Sequence, residues 1–186
     1  MKKIILGFAA LLCCIVSVQA QEKYYGIKSG IVKSVTDDGT STIEQTVWFD
    51  NYGDKQTTIQ VTKIPGFGET KMYIIYLGDK MYSINDNMSE ARESQRPPLN
   101  FLNPSPGFKL TELGKEKVLG KECTKYSYKQ KQLLGSSTNT VWVWQGIVLK
   151  SSMKQGKREV VFEPEKFTHN AKISDSVFNP KTYLKK

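Results

Sequence analysis

The sequence predicts a single, mainly β domain of antiparallel strands. Apolar and polar residues alternate with a period of two along most of the chain, as in strands with one buried face. Turn-forming residues interrupt this alternation at short intervals, for example at Thr36–Thr40 and at Gly78–Lys80. Amphipathic 3.6-residue periodicity is scarce, which argues against a helical fold.

The first twenty residues predict a secretion signal. Lys2 and Lys3 precede an uncharged run, Ile4–Val18, and the small residues before Gln21 suit a signal peptidase. The run is shorter than the ~20 residues of a membrane-spanning helix. We therefore expect residues 1–20 to be removed and residues 21–186 to form one exported domain of the periplasm or cell envelope, soluble after cleavage.

Two cysteines inside the predicted signal, Cys13 and Cys14, raise the question of a lipid anchor. A lipidation signal needs small residues before the cysteine, whereas Leu11 and Leu12 precede Cys13. Apolar residues also follow, where a tether would be polar. The sequence therefore argues against lipoprotein anchoring.

Composition narrows the function classes. The chain has 186 residues, 39% of them hydrophobic, enough for one well-buried core without a disulfide framework. Beyond the signal it has one cysteine, Cys123, and one histidine, His169, which argues against a zinc site or a thiol–imidazole enzyme. No nucleophile elbow, metalloprotease motif or phosphate loop is present. We expect no enzyme, no catalytic residue, no metal and no cofactor.

The predicted strands of the first half follow one another through short turns. The Asp50–Asp54 and Pro65-Gly66 segments end two of them, and Gly78–Lys80 predicts a hairpin. The strands are Ile27–Val35, Ile43–Phe49, Thr57–Ile64, Met72–Leu77 and Met81–Ile84.

The alternation breaks between Asn85 and Gly107. Asn87–Gln95 has the capping and helix-forming residues of a short helix, and several prolines then exclude regular structure. This long loop also carries apolar side chains, which indicates that it is packed or functional. It predicts either a lid over a pocket or, as we favour, a strap pinned to the core by Phe101 and Leu102.

In the second half, the strongest predicted strand is Val141–Lys150. Taken as one strand, it is apolar on both faces, and so is Met72–Leu77. A strand in a sheet with one solvent-exposed face would instead alternate between apolar and polar residues. A barrel or half-barrel around an apolar cavity, a sandwich, or an oligomer would each bury the second face. Shorter strands are expected near Val118 and at Thr124–Tyr128 and Val160–Phe162, and a helical turn or bend at Ser174–Phe178. The candidate ligand-binding residues are Trp142, Trp144, Tyr73 and Ile75.

Positive charge belongs to the second half of the chain. Residues 21–108 hold 9 basic and 11 acidic side chains, whereas residues 109–186 hold 16 and 7. Six lysines between 115 and 131 occupy odd positions and would share one face of a continuous strand, unless Gly120 introduces a bulge. Such a face attracts anions, although lysines also protect sheet edges. The candidate contacts to an anionic envelope surface are Lys117, Lys121, Lys125 and Lys129.

Several segments in this order resemble secreted, uncharacterised bacterial proteins of the periplasmic lipoprotein-carrier superfamily (LolA/LolB-like). They are Trp48–Gly53, Val118–Cys123, Thr124–Tyr126, Val141–Lys150 and Phe178–Pro180. The resemblance covers most of residues 21–186 and implies an antiparallel, strongly curved half-barrel sheet with one or two short helices. Its best-known members carry lipoprotein acyl chains, which implies a hydrophobic cavity. No functional residue of those carriers has a counterpart here.

Together these observations predict a non-enzymatic cell-envelope protein that holds a hydrophobic or amphiphilic ligand, such as an acyl chain, in an apolar cavity. The alternative is a structural or interaction module whose second apolar sheet face is buried in a dimer or a partner. We do not expect nucleic-acid binding, because the aromatic spacing matches no single-strand-binding motif. The sequence leaves the oligomeric state open.

Overall fold

The computed structural model describes residues 23–37, 39–104, 109–132 and 135–185. The predicted signal peptide and its cleavage site lie outside these residues, as do Asp38 in the first predicted turn and Ser105–Phe108 in the long loop. Within the described ranges, no helix is long and apolar enough to cross a membrane.

Eleven strands form one antiparallel sheet, which confirms the mainly β prediction. In chain order, the strands are β1 (Gly30–Asp37), β2 (Thr42–Asp50), β3 (Lys55–Ile64), β4 (Gly68–Leu77), β5 (Lys80–Asn85), β6 (Arg92–Gln95), β7 (Thr111–Val118), β8 (Lys121–Gln132), β9 (Gly135–Trp144), β10 (Ile147–Gln155) and β11 (Arg158–His169).

The sheet consists of two meanders joined side by side. Its strand order is β6-β5-β4-β3-β2-β1-β11-β10-β9-β8-β7, so only the β1–β11 pair joins strands that are distant in sequence. In the described part of the chain, the outermost strands β6 and β7 do not pair with each other, and the sheet is unclosed.

Strand pairing defines two faces of the sheet. We call the face that carries the paired row Val32–Val47–Thr58 the inner face. The face that carries Trp48–Thr57–Ile75 is the outer face. Residues from both meanders surround one cavity on the inner face, because the sheet curves around it.

The predicted Gly78 hairpin is confirmed, but Val141–Lys150 is not one strand. It is the hairpin β9–β10, in which Trp144 pairs with Ile147. Gln145 and Gly146 form the turn at φ 48° and 80°. Two consecutive left-handed residues match the twist of a two-residue hairpin, and this overrides the apolar continuity of the segment.

The lysine-rich segment 115–131 is also a hairpin, so the single lysine face is wrong. Leu119 and Gly120, at φ 48° and 74°, form a two-residue turn, and Val118 pairs with Lys121. Gly120 thus makes a turn rather than a bulge, and Lys115 and Lys117 of β7 pair with the even residues Thr124 and Glu122 of β8.

The predicted helix at Asn87–Gln95 is wrong. Its last four residues form edge strand β6, in which Ser94 pairs with Met81 of β5. The segment between Asn87 and Pro97 is too short to form a stable helix by itself, whereas the edge of β5 has unpaired backbone groups that can bond to another strand.

Strand β11 is longer than the expected Val160–Phe162 and continues through Pro164 to His169. Pro164 pairs with Ser34 beside a register shift, a place where the ladder tolerates a missing N–H.

Two 3₁₀ turns near the C-terminus, Asp175–Phe178 and Pro180–Tyr183, cover the outer face of the first meander. The Thr57 hydroxyl donates a 2.8 Å hydrogen bond to the Val177 carbonyl, and the Tyr73 and Tyr183 rings stack at 4.5 Å. We call Ser174–Leu184 the C-terminal cover. The Asp175–Phe178 turn lies where a helical turn or bend is expected.

A buried apolar cluster lies where the two meanders meet. Cys123 belongs to it and is fully buried, and burial raises the pKa of its thiol, so this cysteine is a packing residue. The cluster comprises Val32, Phe49, Val118, Cys123, Trp142, Ile147 and Leu149.

Candidate functional site

A cavity of about 380 Å³ on the inner face is the candidate site. Val47 and Thr58 line it from the first meander, and Gln130, Ser151 and Phe162 line it from the second. This volume is within the range of small-molecule pockets.

The cavity lining combines apolar and polar residues, with Arg96 and Lys150 as its charged members. Val32 and Val47 are cross-strand neighbours, and two residues further along the same strands Ser34 faces Gln45. All four line the cavity. An amphiphilic molecule fits such a wall better than a purely apolar one, because amide and hydroxyl groups need hydrogen-bond partners when water is displaced.

The segment Lys23–Ser29, which we call the entering segment, crosses one end of the cavity. The Tyr24 and Tyr25 amides donate to the Tyr52 carbonyl at 3.0 and 2.9 Å, and the Gly26 amide donates to the Gln145 carbonyl at 2.9 Å. The Tyr25 hydroxyl also donates a hydrogen bond to the Gln56 side-chain oxygen. This segment is therefore tied to turns in both meanders.

Close packing fixes the segment as well. A Cβ on Gly146 would lie 2.3 Å from the Tyr24 carbonyl oxygen, and a Cβ on Gly53 would lie 2.7 Å from the Tyr25 ring. Glycine is required at both turns because the backbone is left-handed there and a tyrosine lies against it.

Arg96 joins the long loop to the cavity wall. Its guanidinium carbon lies 3.5 Å from the Tyr24 ring centroid and 4.7 Å from that of Tyr76. Nη1 donates to the Gly53 carbonyl at 3.0 Å, with longer contacts of 3.4 Å to the carbonyls of Asp54 and Gly78. One side chain thus links the loop, the entering segment and two turns.

The loop beyond Arg96 is anchored again at Asn100. The buried Asn100 amide donates to the Lys23 carbonyl at 3.0 Å, while its oxygen accepts from the amides of Leu102 and Asn103. Phe101 packs on the rings of Tyr126 and Tyr128, with centroids 6.5 and 6.2 Å apart. Leu102, the other residue expected to pin this loop to the core, is 43% exposed. We call Arg96–Asn103 the strap.

Two tyrosines of the cavity, Tyr25 and Tyr76, are neutral groups at physiological pH. Burial raises the pKa of the Tyr25 and Tyr76 hydroxyls, and the positive charge of Arg96 only partly opposes this. His169 lies at the exposed end of β11. Within the described ranges, no group of three His, Cys, Asp or Glu side chains could hold a metal. The arrangement offers hydrogen bonds and aromatic contacts for binding.

The four predicted ligand-binding residues do not line this cavity. Tyr73 and Ile75 alternate with the cavity residue Tyr76 and lie under the C-terminal cover. Trp142 is 6% exposed on the outer face, where its indole N–H donates to Glu116 at 2.8 Å. The Trp144 ring contacts that of Phe167, with centroids 5.6 Å apart, and Trp144 does not line the cavity.

The four predicted anion-contact lysines divide between the two faces. Lys125 pairs with Trp142 and Lys129 with Thr138 on the outer face, and the Lys121 ammonium lies 4.9 Å from the Trp144 ring centroid. Lys117 pairs with Glu122 and lies on the other face.

No motif in the sequence marks Tyr24, Tyr25, Tyr76, Arg96 or Asn100 as cavity residues. A usable signal exists, because the Tyr24-Tyr25 pair and the Arg96-Pro97-Pro98 segment flank the predicted strands without belonging to them. Their partners are distant in sequence, so the signal does not reveal which residues they contact.

Residues 40–163, about two thirds of the chain, match the family described as a domain of unknown function, DUF4412. The chain belongs to this family. No curated protein matches the chain significantly. The family region contains β2 to β10 and the strap, whereas the entering segment and the C-terminal cover lie outside it.

Proposed function

We propose that this DUF4412 protein is a non-enzymatic, exported protein of the cell envelope that binds an amphiphilic molecule, such as an acyl chain with a polar end, in the inner-face cavity. The observation that carries the proposal is the cavity itself. Strands of both meanders line it, and the strap and the entering segment close over it.

The chemistry of the lining supports an amphiphile. Val32, Val47 and Phe162 offer apolar contact, while Gln45 and Thr58 offer hydrogen bonds. A lipid-like molecule with a hydroxyl, amide or ester group would match both kinds of surface. This proposal keeps the predicted ligand class but assigns it to different residues.

The resemblance to periplasmic lipoprotein carriers remains part of the proposal. The curved, unclosed sheet and the inner-face cavity support it. The resemblance implies helices that close the concave side of the sheet, whereas the two segments that close this cavity, Lys23–Ser29 and the strap, are not helices.

The experiment is mass spectrometry of the protein purified from its own cell envelope, followed by titration with a fluorescent fatty-acid probe. We expect a co-purifying amphiphile and saturable probe binding. Gln45→Trp should lower probe affinity at least tenfold, because the indole would project into the cavity. Finding neither an amphiphile nor a fluorescence change would refute the proposal.

Thr46→Trp is the matched control. Thr46 is the next residue of β2, is half-buried like Gln45, and lies on the outer face. Its probe affinity should stay within twofold of the native value. Equal losses in both variants would mean that the probe does not bind in the cavity.

The alternative, an interaction module that buries its outer apolar face in a dimer, has less support. The C-terminal cover lies over Tyr73, and lysine side chains lie over Trp142. Sedimentation over a concentration series would favour the alternative if it showed a stable dimer. An anionic envelope surface remains a proposed partner of the outer-face lysines.

A further inference from the structure

The outer face of β8, β9 and β10 carries a regular arrangement of lysine and hydroxyl side chains. Directly paired residues form three rows across these strands: Lys125–Trp142–Lys150, Ser127–Thr140–Ser152 and Lys129–Thr138–Lys154. Lys121 continues the β8 column beside Trp144. We call Lys121, Lys125, Lys129, Lys150 and Lys154 the lysine array.

Strand geometry sets the spacing of the lysine array. Lysines four residues apart along a strand are about 13 Å apart, and lysines on β8 and β10 are two strand spacings apart, about 10 Å. Between the two columns, β9 presents the short side chains of Thr138 and Thr140. The array therefore flanks a track along β9.

Positive charge exceeds negative charge on this face. Glu116 lies 3.8 Å from Lys125, and Glu163 lies 2.9 Å from Lys150. Glu159 pairs with Lys154 across the strands and accepts a hydrogen bond from Ser152. On neighbouring β1 and β11, Lys33 and Lys166 form a cross-strand pair that adds positive charge. Within the described ranges, Lys121 and Lys129 have no carboxylate within 4 Å.

We propose that the lysine array binds an extended acidic polysaccharide lying along β9. Lysines on both sides of the track can reach carboxylates on successive sugars, and the hydroxyls of Thr138, Thr140 and Ser127 can bond to sugar hydroxyls. A single-stranded nucleic acid would need exposed aromatic rings for stacking, whereas Trp142 is buried beneath Lys125 and Lys150.

Lys150 also lines the inner-face cavity, but the other four lysines of the array do not, and the proposal does not rest on amphiphile binding. Gln45→Trp, which fills the cavity, should leave polysaccharide affinity within twofold of the native value. Failure of either proposal can thus be told apart from failure of the other.

The experiment is calorimetric titration of the protein with polygalacturonate at low salt, with dextran as the neutral polymer. We expect binding to polygalacturonate only, weakening as salt rises because the contacts are exposed charges. The variant K121Q/K129Q/K154Q should bind at least tenfold more weakly. K129Q/K154Q changes only exposed side chains and should bind at least threefold more weakly, which guards against a folding defect.

The matched control is K28Q/K117Q/K181Q, which removes three exposed lysines outside the array and changes the net charge equally. Its affinity should stay within twofold. Equal weakening in the two triple variants would overturn the proposal in favour of a net-charge effect. Absent polygalacturonate binding would also overturn it, as would tighter binding to single-stranded DNA or binding only to vesicles of anionic lipid.

Discussion

Strands β4 and β9 both carry apolar side chains on two faces, but their outer faces are buried in different ways. On β4, Tyr73 stacks on Tyr183 of the C-terminal cover, and Ile75 is fully buried. On β9, the Trp142 ring has the Lys125 and Lys150 ammonium groups 4.6 and 5.1 Å from its centroid. A distant part of the chain protects the first strand, and side chains of adjacent strands protect the second.

This difference shows why a two-sided apolar strand does not by itself locate a ligand site. A cavity, a second sheet or an oligomer would each bury the second face. Here the chain's own C-terminal cover buries it on β4. On β9, two lysine side chains do so, with their ammonium groups over the Trp142 ring.

The largest test of this comparison is Phe178→Ala, which weakens the cover of β4. Phe178 is 3% exposed, and truncating a buried phenylalanine costs about 3–5 kcal/mol in free energy of unfolding. Urea denaturation measures the loss, which should be insensitive to salt because no charge is removed. A loss below about 1 kcal/mol would mean that the cover does not stabilise the first meander.

The turns at the ends of the two strands provide a second test. Gly146 after β9 and Gly78 after β4 both have positive φ, at 80° and 59°. A Cβ on Gly146 would collide with the Tyr24 carbonyl oxygen, whereas on Gly78 its nearest contact would be the Asp54 carboxylate at 3.9 Å. Gly78→Ala should cost about 1 kcal/mol from backbone strain alone.

Gly146→Ala should lower the free energy of unfolding by about 2–4 kcal/mol, because the collision with Tyr24 adds to the backbone strain. Thermal unfolding of both variants measures the difference. Equal shifts in Tm for the two variants would show that close packing of Tyr24 against Gly146 does not affect stability.

The sequence predicts most strands of the first meander because their alternation and turns are local. It fails at Val141–Lys150, where Gln145-Gly146 interrupts an apolar run, since Gln is not a typical residue for a left-handed turn position. The four candidate ligand-binding residues taken from the sequence do not line the cavity. Which face of Met72–Leu77 looks into the cavity depends on where Arg96 and the C-terminal cover pack, and these contacts join residues far apart in sequence.

Two variants of Lys150 distinguish the contribution of its aliphatic chain to stability from the contribution of its charge. Its side chain is 21% exposed and covers part of Trp142, so Lys150→Ala should cost about 1 kcal/mol in free energy of unfolding. Lys150→Met keeps an apolar stem and should cost less than half as much, because the ion pair with the largely exposed Glu163 contributes little. Equal losses in the two variants would show that charge, rather than the stem, stabilises β9.

The smallest expected effect concerns the hydrogen bond from Trp142 of β9 to Glu116 of β7. The Trp142 indole N–H, with Lys125 as a lesser cause, holds the pKa of the Glu116 carboxyl below its ordinary value. A lowered pKa in the folded state stabilises the fold above the unfolded pKa of about 4.3, and this contribution is lost as pH falls through the folded pKa.

Trp142→Phe should therefore raise the Glu116 pKa in an NMR titration and flatten the dependence of stability on acid pH. Glu69, whose pKa Lys71 lowers on β4, is the internal control and should titrate as before. An unchanged Glu116 pKa in the variant would show that the lysines, and not the indole, set the electrostatics of the β9 outer face.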